Sequence, residues 1–79
     1  MSERNENWGR RESLRRIEKT LLAEIRSHRE SIRALLPIGG EVQDIDGEYL
    51  FSLAVGLNDR LVELRGVEQK IAILSRELE

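Results

Sequence analysis

Cysteine is absent from this 79-residue chain, which excludes disulfides, thiol nucleophiles and thiolate zinc sites. Proline occurs once, at Pro37, and the aromatics are Trp8, Tyr49 and Phe51 alone. No apolar run approaches the ~18 residues of a membrane span, and the charged start of the chain has no signal-peptide core. The expectation is therefore a soluble, cytoplasmic protein with no membrane partner. Histidine also occurs once, at His28, so a histidine-rich metal or catalytic centre has no material to work with. Catalytic, metal-binding and cofactor-binding residues are expected to be absent, and an enzyme is not expected.

What the sequence does contain is helical. Apolar residues make up 39% and charged residues 35%, a composition of Leu, Ile, Glu and Arg typical of helical bundles and coiled coils. From Asp46 to Glu79 there is no proline, and Leu50, Leu53, Leu57, Leu61, Leu64, Val67, Ile71, Leu74 and Leu78 recur in steps of three and four. That spacing is one face of a helix. A helix of this length runs roughly 45–50 Å at ~1.5 Å per residue, so the rest of the chain has to lie alongside it.

A second apolar face runs through Leu14, Ile17, Leu21, Ile25, Ile32 and Leu35, flanked by Leu22 and Leu36. Between the two faces, Pro37-Ile38-Gly39-Gly40 stops the first helix, since the residue before a proline leaves the helical region and paired glycines permit a reversal. Val42 and Ile45 are expected to plug the end of the bundle. Asp46 is the N-cap candidate for the second helix, with Ile45 and Leu50 at the spacing of a hydrophobic staple.

The expected fold is all-α, an antiparallel two-helix hairpin with helices at about 10–36 and 47–78, assembling into a helical bundle or coiled coil. Residues 1–9 read as a polar N-terminal tail, because Gly9 weakens a helix there, and 10–79 as the single hairpin domain. Gly56 and Gly66 are weak points in the second helix. A continuous, bent helix is expected through them, with a break capped by Asn58 or Asp59 as the alternative.

Charge divides unevenly. Residues 1–36 hold nine Lys/Arg against six Glu, a balance of +3, and residues 37–79 hold four against nine acids, −5, which together give −2. A basic first helix beside an acidic second one accounts for this. Glu12 with Arg16 forms an expected i,i+4 pair. Glu18 and Glu68, at or near apolar faces, are candidates for fixing helix register.

Arg10, Arg11, Arg15 and Arg16 are the candidate nucleic-acid contacts, interrupted by Glu12 and followed by no helix-turn-helix spacing. Asp44, Asp46 and Glu48 lack the spread of a calcium loop and read as capping and solubility. His28 reads as a packed boundary histidine. The helix–Gly-Gly–helix layout, with Gly39-Gly40, the acidic turn and Ala72-Ile73-Leu74-Ser75, resembles the small hairpin co-chaperones of bacterial type III secretion. No functional residue is carried across from them.

The expected function is that of a small non-enzymatic interaction protein: an adaptor, co-chaperone or assembly factor. Its partner would be itself, as a homodimer or higher oligomer, or another helical protein. The alternative is a dimeric nucleic-acid-binding regulator using the basic part of the first helix. The expected protein interface is Phe51, Val62 and Ile73, spaced eleven apart, with Ala54 and Ala72 bridging them; Trp8 is either a ring packed loosely over the start of the first helix or a further anchor for a partner. The competing account lets the connector fold back over Phe51.

Overall fold

The computed structural model of the chain describes residues 3–37 and 39–78. Two helices account for nearly all of them: α1, Glu3–Leu35, and α2, Gly47–Leu78, joined by a connector that carries one 3-10 turn at Val42–Asp44. No strand occurs among the described residues. The helices pack against each other along their length, giving a rod of 61 × 17 × 15 Å. The all-α hairpin expected from the apolar periodicity is the fold.

The alignment is antiparallel, and three cross-helix relationships fix its register. Asn7 meets Glu77, Glu24 meets Arg60, and His28 lies against Gly56, residue numbers that add to 84 each time. Between them sits the core, in which Leu21, Leu64 and Val67 are buried and Leu14, Ile25 and Ile71 pack on them. Leu21 is the most enclosed, at 4% exposure. Each such side chain contributes about 1.5–3 kcal/mol on burial. Leu78 is buried as well, near the end of α2.

Helix α2 begins as its sequence implies. The Tyr49 amide donates to Asp46 Oδ1 at 3.0 Å, and the Leu50 amide donates to the Asp46 carbonyl at 3.0 Å. Asp46 is thus the N-cap, satisfying an amide that the first turn leaves open. The helix then runs unbroken through Gly56 and Gly66, so the alternative of a third helix is not realised.

Helix α1 differs from expectation at its start. It begins at Glu3, not near residue 10, and passes through Gly9 as regular helix. An exposed glycine costs on the order of 1 kcal/mol in a helix. Here the far end of α2 lies alongside, and Asn7 Nδ2 donates to Glu77 Oε2 at 3.2 Å. The length of α2 therefore supplies the surface on which the extra turns form. Met1 and Ser2 of the expected tail lie outside the described residues, as does Ile38 of the helix stop. At the other end the Leu36 amide still closes on the Arg33 carbonyl at 3.2 Å, and Gly39 takes a positive φ of 92° that only glycine adopts without strain.

Several packing expectations need correction. Ile17 is exposed, because on a straight α1 it falls at the edge of the stripe that α2 covers. Val42 is 79% exposed and Ile45 is also exposed, so the connector does not plug the bundle. Its short 3-10 turn holds the backbone with its own bonds, Asp44 to Glu41 and Ile45 to Val42, and leaves both side chains outward. Glu12 pairs with Arg15 at 4.0 Å, one residue short of the expected Arg16.

Candidate functional site

Two features of α2 stand out from a simple amphipathic helix. The first is a polar cluster inside the helix–helix seam. Arg60 Nε donates to Glu24 Oε2 at 2.6 Å, and its Nη1 donates to the Gly56 carbonyl at 3.1 Å. On α1, His28 Nδ1 lies 3.0 Å from the Glu24 carbonyl. A carbonyl only accepts, so Nδ1 carries the proton and Nε2 faces α2. That Nε2 stands 2.9 Å from the place a Cβ on Gly56 would occupy. His28 is half-buried, as expected of a packed boundary histidine.

Glu24 and Arg60 are not the residues that the sequence offers for fixing register; of those that are, Glu18 is half-buried and Glu68 is exposed. A signal was present in the spacing. At 100° per residue Arg60 falls roughly 40° from Leu64 and Glu24 roughly 60° from Leu21, both at the margin of the apolar stripe. The pair also runs against the overall charge bias, with the acid on the basic helix and the base on the acidic one. The other ion pairs among the described residues lie within α1. Among the described residues, the net charges of the two halves therefore do not hold the helices together through contacts; apolar burial, this one inverted pair and the Asn7–Glu77 hydrogen bond do.

The second feature is an apolar stripe on the outside of α2. Phe51 is 71% exposed, Val62 56% and Ile73 51%, and Val55 and Ala54 are exposed as well. Val62 stands roughly 140–160° round the helix from the buried Leu64 and Val67, so the stripe looks away from α1. The connector does not cover Phe51. Gly66 lies within about 40° of Val62 on this side, with open space where its side chain would be. Towards the open end of the hairpin, Ile73 leads into a shallow groove of about 740 Å³ that includes Gly9, Leu14 and Leu74, with Arg10 and Lys70 as its charged lining. Trp8, part of α1 and exposed, lies outside that lining.

The candidate nucleic-acid contacts are not gathered onto one face. Arg10, Arg11, Arg15 and Arg16 spread over roughly 240° of α1. Arg15 is engaged by Glu12, and Arg11 Nε is shielded without a hydrogen-bond partner. Among the described residues no group of three or more His, Cys, Asp and Glu is placed to hold a metal ion, and no helix is long and apolar enough to cross a membrane.

No protein-family model, curated protein or solved structure matches this chain.

Proposed function

We propose that this chain is a non-enzymatic helical interaction protein, of the adaptor, co-chaperone or assembly-factor kind, that works by laying the outer face of α2 against another helix. The observation that carries this reading is the exposure of Phe51, Val62 and Ile73 on the side of α2 turned away from the core. A helix that faces one neighbour normally shows a single apolar stripe of about 100°, and α2 has a second. Exposed apolar side chains aligned on one side of a helix support an interaction surface, here with Asn58 and Gln69 interleaved on the same side, and Phe51 is its main anchor because a buried aromatic contributes the most area. The absence of any nucleophile–base constellation in the sequence points away from catalysis.

The test is the double variant Val62→Glu/Ile73→Glu. It should remain helical by circular dichroism yet lose association, measured as self-association by sedimentation at low micromolar concentration and as partner capture from the native host. Retention of both oligomeric state and partner binding in the double variant would overturn the reading.

A further inference from the structure

We propose that the occupant of this face is α2 of a second copy, antiparallel, with a twofold axis passing beside Val62. The inference rests on the reading of the stripe as a docking surface and names its partner. Two observations carry it.

The first is area. The chain exposes 6301 Å² for a mass of 9.1 kDa, whereas a compact monomer of that mass exposes about 4,900 Å². The excess of about 1,400 Å² exceeds the ~800 Å² that each partner contributes to a standard interface. A second copy seated on α2 would bring the exposed area of each subunit back towards that of an ordinary globular protein.

The second is symmetry within the stripe. Phe51 and Ile73 each stand eleven residues from Val62, on opposite sides of it. Eleven residues make three helical turns to within about 20°, so the three positions form a nearly straight line whose spacing, though not its side chains, is the same from either end. An isologous interface requires that if residue i meets j, then j meets i. A twofold axis at Val62 sets Phe51 of each copy on Ile73 of the other and Val62 on Val62. Gly66 of one copy then falls opposite Asn58 of the other, and its missing side chain lets the backbones approach closely.

The antiparallel sense follows from bulk and charge. A parallel pair would crowd two phenylalanines at one end and leave two facing glycines as a gap further along, whereas antiparallel pairing evens the girth and opposes the helix dipoles. It also places Lys70 of one copy between Glu48 and Asp59 of the other, about 9 and 7.5 Å away along the axis at ~1.5 Å per residue. Asp59 and Arg65, three residues either side of Val62, each come near their own symmetry mates. Apolar contact, not net charge attraction, is therefore the force holding the pair.

Because the chain has no cysteine, single Val62→Cys, Phe51→Cys and Ile73→Cys variants of the full chain give an unambiguous readout. Helix axes about 8–10 Å apart bring facing Cα atoms within disulfide range. Under mild oxidation at low micromolar concentration, V62C should cross-link to itself. F51C and I73C should cross-link poorly alone and form a mixed dimer when combined. Self-linking of F51C and of I73C, or a dimer in which V62C fails to link, would overturn the arrangement. A monomeric wild-type chain whose capture of a host protein is abolished by V62E/I73E would overturn self-pairing alone and leave the docking reading standing. Association that survives V62E/I73E in every assay would sink both.

Discussion

The imidazole of His28 occupies the space that a side chain on Gly56 would need: its Nε2 lies 2.9 Å from the ideal Cβ position, and its Cδ2 3.4 Å. The ring is held there by the bond from Nδ1 to the Glu24 carbonyl, 3.0 Å long. Glycine at position 56 is therefore a matter of fit between helices, not of backbone conformation. A double-mutant cycle checks this. Gly56→Ala alone should bring no gain, because the helix-propensity benefit of about 1 kcal/mol is offset by displacement of the ring. With His28→Ala already present, the same change should stabilise the chain by about 0.5–1 kcal/mol in urea unfolding. An equal effect in both backgrounds would show that the two residues do not meet.

Gly66 provides the contrast. Nothing lies within 4 Å of its Cβ position, so Gly66→Ala meets no obstacle inside the hairpin. Measured on the Val62→Glu/Ile73→Glu background, to keep subunits apart, it should raise stability by about 0.5–1 kcal/mol. A loss of stability there would mean that the outer face of α2 is not open.

The Arg60–Glu24 pair is part-exposed, with side chains 34% and 43% accessible, so its own strength is limited by solvent to about 0.5–1 kcal/mol. Arg60→Ala also leaves the Gly56 carbonyl without the Nη1 bond and should cost about 1 kcal/mol. The charge-swapped chain, Glu24→Arg with Arg60→Glu, should recover part of the loss relative to either single reversal. No recovery in thermal unfolding would indicate that the pair does not help set register.

Removal of the cap of α2 has a defined cost. Asp46→Ala should destabilise the hairpin by about 0.5–2 kcal/mol, while Asp46→Ser, which keeps an acceptor for the Tyr49 amide, should lie close to wild type. If alanine and serine behave alike in chemical denaturation, the side-chain bond is not what starts the helix.

The arginines separate the two classes of function. Replacing Arg10, Arg11, Arg15 and Arg16 with glutamine should leave association nearly unchanged, since they do not share a face. Raising salt from 50 to 500 mM should not weaken it either, with apolar contact as the driving force and like charges flanking Val62. Phosphate contacts would give the opposite result, a steep loss of affinity with salt.

Whatever depends on neighbours along the chain is legible in the residues alone. The apolar periods of α1 and α2, the stop at Pro37 with the glycines beyond it, and the cap at Asp46 all act within a few residues, so spacing alone located the two helices and the reversal between them. The apolar line of Phe51, Val62 and Ile73 was legible for the same reason. That the line is uncovered depended on where α1 and the connector came to lie, and the folded chain decided it. Tertiary structure also decided the early start of α1, where the far end of α2 outweighs the cost of Gly9, and the outward turn of Ile17, Val42 and Ile45. Above all it decided which residues meet: Glu24 with Arg60, and His28 with Gly56, are joined by a register that no local pattern contains. In a hairpin that register is set by the fit of whole faces against each other, and a slip of one turn would keep every local preference while breaking each of those contacts.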